Sequence, residues 1–559
     1  MGATDIPGRL ATSIFSSEPT SPLFSTCYDV PKGGVLFALP ALLATGLLDH
    51  HEKNFKLQNG FYSLDSIFLL LAFMALCRLK YLENLRYQSP GEWGKLFGLD
   101  RIPEVKTMRN KLKELCENGE PHQWSADLSA QWMTMDPDMA GVLYIDGHVR
   151  VYHGKQTELP RHYVSRQKLC HRATTDFWVN AMDGQPFFLV NKAIDPGLIK
   201  VLENEIVPRL LSNVPNQPDI LELEKDPYTS RFTMVFDREG YSPDFMKRMY
   251  VLGIACQTYH KYPGDNWPKE EFHETVLQLA NGNKVKMKLA ERGSFLGGKI
   301  WVREIRKISD GGKQVSIVST DYGREYGLVA AAMFARWSQE NFFRYMRQHF
   351  NIDALSSYSL EEIDETESIV NPLYRDADSE VRKQVAKLSR KKIELSNITL
   401  KETELKEVEK YEQDKAQLLE EITELSDEVE DLKECRKNTP KHVTMRDLSE
   451  EDRFKQLATR SKDLIDTIKM IAYRAETMMA NMVKETISHK DQSRTLLQSI
   501  YTMEANLLPD EKNKVLRVQL HNPANKTSAR VIMRLCRELN ETKTIFPGTD
   551  MRLVYDLVS

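Results

Sequence analysis

Cysteines are few in this sequence, and they form no pattern. The seven (Cys27, Cys77, Cys116, Cys170, Cys256, Cys435 and Cys536) lie far apart, and no two make a CxxC pair. An odd, scattered set argues against a disulfide framework and suits a reducing compartment. His162, Cys170 and His171 are the only metal-like grouping, and no second Cys/His pair completes it. Ordinary side chains are the simpler reading there. Long apolar runs are missing too. Gly34–Leu48 is broken by Pro40, and Ile67–Cys77 is short. Both fall below the roughly 20 residues that cross a bilayer. They read as buried helices, with no membrane partner expected. Residues 1–30 carry Ser, Thr and Pro without a basic start or a long apolar stretch, so a loose tail is expected rather than a signal peptide. Charge of one sign is also lacking. The net value is only -4, so any surface for nucleic acid must be a local patch.

What is present suffices for several domains. A chain of 559 residues exceeds one ordinary core. Apolar residues at 41% and charged residues at 28% are normal for globular protein. Residues 31–130 read as helical, with a long helix from about Leu64 to Arg86. Ser89-Pro90 is a helix start, Gly98 a stop, and Pro103 a second start. Two helices across a four-residue turn give a helix-turn-helix outline over 89–117. The second helix carries Lys106, Arg109, Asn110 and Lys113, side chains suited to phosphates and base edges. An amphipathic helix with a solvated basic face is an equally good reading.

Residues 139–262 alternate strands and helices: GVLYIDG, VRVYHG, DFWVNA and QPFFLVN, a helix, RFTMVFD, a helix, then GIACQTYH. That is the order of an RNase H-like sheet. Residues 263–325 break the alternation with hairpins turning at Asn-Gly and Gly-Gly, which predicts an all-β insertion. A helix from about Leu328 to Phe350 returns to the sheet, so residues 326–356 complete that domain. Residues 376–436 are rich in Lys, Glu and Leu. Leu418, Ile422, Leu425, Val429 and Leu432 there make a heptad seam, a helical or coiled-coil arm. Residues 441–559 read as a last α/β unit. The expected class is multidomain α/β: a mixed sheet with a β insertion, a helical N-terminal domain and a helix-rich C-terminal region.

Asp146 ends the apolar strand Val142–Ile145, and Asp237 ends Phe232–Phe236. In an RNase H-like sheet these two strands lie side by side and parallel. Their carboxylates would then share one edge, where like charges repel unless a cation intervenes. Oxygen ligands with open positions suit Mg²⁺ or Mn²⁺. The third ligand is expected from the helix after the insertion. There Arg336, Glu340, Arg344 and Arg347 make one charged stripe on a mostly apolar helix. Taken singly, each acid has a plainer reading: a turn former at a strand end, or a helical ion pair.

Taken together, these motifs resemble the bacterial cut-and-paste DDE transposases of insertion sequences, which carry a β-rich insertion between second Asp and Glu. Their third motif is Tyr, two residues, Arg, three residues, Glu, six residues, Lys. Met333, Arg336, Glu340 and Arg347 stand at those places here, so Arg and Glu match while Tyr and Lys are replaced. DREGY at Asp237 resembles the second-Asp motif, and the likeness spans about residues 31–356.

The resemblance implies Asp146, Asp237 and Glu340 as catalytic residues holding two Mg²⁺ or Mn²⁺ ions, with DNA cleavage and strand transfer as the reaction. Arg336, Arg344 and Arg347 would hold flanking phosphates. His148 could orient a ligand or be a structural histidine. Trp267 and Trp301 in the insertion could stack on a base or belong to the core. The implied partners are double-stranded DNA, both terminal inverted repeats and target, and a second copy of the chain. The implied location is the bacterial cytoplasm at the nucleoid. A nuclease that cuts without joining and a non-catalytic DNA-binding scaffold are the rival readings.

Overall fold

Val142 to Ile145 is apolar without interruption, and in the computed structural model it becomes part of a ten-stranded sheet. The structure describes residues 8–10, 19–58, 60–152, 161–164, 169–278, 284–334, 337–354, 360–361, 365–366, 368–398, 405–449, 456–457, 459–484 and 492–558. Two compact units result: residues 1–153, 162–359 and 458–559 form one, and residues 154–161 with 360–457 form the other. The chain is of mixed α/β class. Among the described residues no helix is long and apolar enough to cross a membrane.

In the first unit, strand β1 (Cys27–Val30) lies within the expected tail. Helix α1 (Leu64–Leu76) follows, capped by the Ser63 hydroxyl on the Ser66 N–H. It stops ten residues short of the predicted end at Arg86. Arg78 turns the backbone left-handed, at φ 61°, and its side chain goes inward to Glu476 at 2.5 Å. A 3-10 turn, Leu82–Tyr87, takes the rest. Helices α2 (Pro90–Lys95) and α3 (Val105–Asn118) stand where the two-helix outline placed them. Their connection, Leu96 to Glu104, is longer than the expected turn. Gly98 sits in it at φ 64°, and Ile102 N–H closes it on the Pro90 carbonyl.

The large sheet uses β2 (Val142–Val151), β3 (Arg161–Val164), β4 (Leu169–Asn180), β5 (Pro186–Lys192), β6 (Phe232–Phe236) and β7 (Ile254–Tyr259). The expected pair GVLYIDG and VRVYHG is one continuous strand, β2. Strand order is β5-β4-β2-β6-β7 through this half. β4 is antiparallel to β2 and β5, whereas β2, β6 and β7 run parallel. β6 is buried at every position, as a parallel strand covered on both faces must be. Residues 263–325 supply β8 (His273–Gln278), β9 (Lys284–Leu296), β10 (Ile300–Ile308) and β11 (Gln314–Ser319). These are not a separate layer. β11 pairs antiparallel with β7, so the insertion prolongs the same sheet.

The helix expected over Leu328–Phe350 is described on either side of residues 335 and 336, which lie outside the described residues. α4 (Tyr326–Phe334) is largely apolar and buried from Val329 to Met333, its alanines packed with Val142, Tyr144, Val235 and Ile317. α5 (Trp337–Tyr345) is amphipathic, and a π turn, Met346–Phe350, follows it. Helix α6 (Arg460–Lys484) is buried along most of its length and packs on α1. After helix α7 (Ser493–Thr502) come β12 (Ala505–Asp510), β13 (Val515–Leu520), helix α8 (Lys526–Glu541) and β14 (Arg552–Leu557). Their sheet runs β1-β12-β13-β14, so a strand from the start of the chain edges a sheet built from its end.

In the second unit, helices Pro372–Asn397 and Leu405–Asn438 form an antiparallel hairpin. Lys391 meets Glu421 at 2.9 Å, Gln384 meets Glu428 at 3.0 Å, and Arg436 meets Asp378 at 2.8 Å. Leu418, Leu425 and Val429 of the heptad seam are buried. The seam therefore finds its partner helix within the chain.

Candidate active site

β2 and β6 are in register from Val142↔Thr233 to Ile145↔Phe236. The next residues are Asp146 and Asp237. The parallel register thus sets the two aspartates side by side, Asp237 just past the end of β6 and Asp146 midway along β2. The Asp237 carbonyl accepts from Gly240 N–H at 3.0 Å and from Thr258 Oγ1 at 3.1 Å, which turns the chain into Arg238–Gly240. β2 continues, paired with β4.

Asp146 stands directly opposite Trp178 of β4, and cross-strand partners share a face. Tyr144 and His148 share it too, by the two-residue alternation of a strand. Tyr144 Oη donates to the Ala332 carbonyl of α4 at 2.6 Å. Trp178 packs on Phe342 and Phe343 of α5, with ring centroids at 5.3 and 6.2 Å. His148 stacks on Phe343 at 5.4 Å and 18°. The helix that carries Glu340 therefore covers the face from which Asp146 emerges. Glu340 is exposed, one turn before Phe343.

The three carboxylates are not gathered into one tight cluster. Among the described residues, the groups with ligand atoms within 4.8 Å of one another are Asp29, Glu504 and His521, and His51, Glu52 and Asp65. Two further acids do belong to the Asp146–Asp237 edge. Part of the Glu239 side chain is exposed, yet desolvation pushes its carboxyl up, and Asp195, Asp146 and Asp237 push the same way. A backbone hydrogen bond from Leu198 opposes them. Asp195 is itself fixed, accepting from Gly197 N–H at 2.9 Å and Thr175 Oγ1 at 3.1 Å. Sequence reasoning missed both. DREGY carried Glu239 in plain view, but only the fold puts Asp195 beside it. Asp195, Asp146 and Asp237 thus all lie near enough to Glu239 to act on its charge.

The expected arginine stripe is only partly visible. Arg336 lies outside the described residues, as do the side chains of His162 and Cys170. Arg344 is exposed and donates to Asn341 Oδ1 at 2.9 Å. Arg347 falls in the π turn, half-buried, where its charge helps to depress Asp353. His148 Nε2 lies 2.5 Å from Asp353 Oδ1. Burial raises the Asp353 carboxyl, but the hydrogen bond and charge of His148, with Arg347 and Lys462, outweigh it and hold it low. His148 is thus a buried, paired residue next to the site.

Lys106, Arg109, Asn110 and Lys113 are all exposed on α3, away from buried Met108, Leu112 and Leu115. Arg109 pairs with Glu83, and Lys113 with Glu117 at 3.5 Å. Trp267 is buried between the guanidinium groups of Arg292 and Arg306, at 4.6 and 4.3 Å, which makes it core. Trp301 is exposed, lies across Gly293, and faces exposed Phe295 on β9.

Comparison with known families adds the deciding observation. A family model described as "Transposase protein" matches residues 1–559. The chain belongs to this transposase family. No curated protein matches it. The family gives a DNA-cutting role to the molecule as a whole.

Proposed function

We propose that this transposase is of the DDE type, cutting insertion-sequence ends and joining them to target DNA with Asp146, Asp237 and Glu340. The observation that carries the reading is the parallel register ending at Ile145↔Phe236, which sets both aspartates at one sheet edge. The order β5-β4-β2-β6-β7, with antiparallel β4 and parallel β6, supports the reading as an RNase H-like sheet. The β-rich segment between Asp237 and Glu340, and a helix laid over the Asp146 face, agree with it.

Asp146, Asp237 and Glu340 would hold two Mg²⁺ or Mn²⁺ ions, which when bound supply Lewis acidity toward water and phosphate. Asp195 and Glu239 add negative charge to the same edge and raise its affinity for cations. Arg344, on the exposed side of α5, would exchange its bond to Asn341 for a phosphate beyond the scissile one. Phe343, stacked on His148, holds α5 against β2, from which Glu340 would have to reach the aspartates. Lys106, Arg109, Asn110 and Lys113 offer a second, basic contact for double-stranded DNA at the terminal repeats. Two ends cut in concert require two copies of the chain on the DNA.

The test is an incubation of labelled end DNA and a target plasmid with wild type and Asp237→Asn. Wild type should give both nicked ends and joined products, and the variant neither. Nicks without joined products would leave a nuclease in place of a transposase of this type.

A further inference from the structure

Tyr345 is the last residue of α5, five positions beyond Glu340. Its hydroxyl has three partners. Arg78 Nη2 donates to it at 2.9 Å and Gln498 Nε2 at 3.0 Å, while it donates to Glu476 Oε2 at 3.0 Å. Glu476 is fully buried and pairs with Arg78 at 2.5 Å and Arg494 at 3.2 Å. Arg494 lies over the Tyr345 ring at 4.6 Å, and Arg78 over Phe350 at 4.5 Å. One phenol thus ties the Glu340 helix to the end of α1, to α6 and to α7.

Such a network is a poor way to gain stability, because desolvating these charges offsets most of their attraction. It is a good way to set position. The apolar contacts of Phe342 and Phe343 hold α5 to the sheet, but apolar burial is non-directional and permits sliding and rotation. Three hydrogen bonds at one oxygen fix both. We propose that Tyr345 is a positioning residue for Glu340, held in place by the buried Glu476 with its two arginines. This rests on the reading of Glu340 as a metal ligand. Burial, with the charge of Glu476 next, pushes the phenol up to about 12, so it stays a donor across the working pH range.

The experiment compares wild type, Tyr345→Phe and Glu340→Gln for direct Mn²⁺ binding by electron paramagnetic resonance, with amide exchange over 337–345. Tyr345→Phe keeps the ring and leaves Glu476 its two arginines. Mn²⁺ affinity should fall about tenfold, exchange in α5 should quicken, and saturating Mn²⁺ should restore most cleavage. Gln498→Ala, which removes one half-buried donor, should show the same trend more weakly and serves if Tyr345→Phe fails to fold. Wild-type affinity and exchange in the folded variant overturn the positioning role. Wild-type affinity in Glu340→Gln would instead overturn the reading beneath it, and this inference with it.

Discussion

Ile145 and Phe236 face one another as the last matched pair of two parallel strands, and the residue after each is an aspartate. From that single register follow the nearness of the two aspartates and the stability consequences of changing their surroundings. Glu239 feels the crowding most directly, since burial and three neighbouring carboxylates all disfavour its charge. Glu239→Gln should therefore stabilise the protein in EDTA, by on the order of 0.5 kcal/mol because the side chain is partly solvated. Added Mg²⁺ should raise the wild-type Tm more than the variant's. Thermal unfolding in both buffers measures this, and a lower Tm for the variant in EDTA would refute the crowding.

A second prediction concerns pH. Burial pushes the Asp463 carboxyl up to about 7, from an ordinary 3.8, with Asp466 and Asp176 adding to it. The Asn191 hydrogen bond and Arg150 pull the other way. Between those pH values the folded state binds more protons than the unfolded, so stability falls as pH rises toward 7. Lys469 behaves inversely. Burial, then Lys462, brings it down from 10.5 to about 7, so its contribution recovers as pH rises above 7. Asp463→Asn, which still accepts from Asn191, should flatten the acid-side slope and raise Tm at pH 7 by several degrees. A Tm profile parallel to wild type from pH 4 to 7 would contradict this.

The basic face of α3 gives a third. Lys106 and Arg109 are exposed, though Arg109 is engaged by Glu83. Lys106→Ala with Arg109→Ala should weaken binding to end DNA and lower the salt slope by about 1 to 2. Lys106→Ala alone should account for most of it. Titrations at four salt concentrations measure the slope, and an unchanged slope would make α3 an ordinary solvated helix.

The aspartates were legible because each follows a short apolar run, and a parallel pairing of those runs leaves little choice about where they end. The β hairpins of 263–325 were legible from Asn-Gly and Gly-Gly, but not their docking edge to edge on β7, which depends on β11 meeting Tyr259 in register. Other features depend on residues far away in sequence. α1 ends at Leu76 with Arg78 drawn to Glu476, 398 positions on. Cys27–Val30 becomes a strand because Ala505 and Leu507 offer it an edge. Of the heptad seam, Leu418, Leu425 and Val429 are buried, while Ile422 and Leu432 are half-buried. Its partner was obscured, because Pro372–Asn397 shows mostly Lys, Arg and Glu and buries only Val381 fully. Asp195 was missed because AIDPG has the look of a turn, and only the fold brings it to the aspartate edge.

Glu340 is exposed on a helix that covers the Asp146 face and, among the described residues, belongs to no tight acid cluster, so its substitution is the sharpest test of the proposed chemistry. Glu340→Gln keeps size and helix and removes one negative charge. The decisive measurement is Mg²⁺-dependent cleavage of labelled end DNA beside a gel shift on the same preparation. The variant should bind the ends like wild type and cleave them at least a hundredfold more slowly, on the order of the loss expected when an anionic ligand is removed. Near-normal cleavage with normal binding would contradict the account and remove Glu340 from the active site.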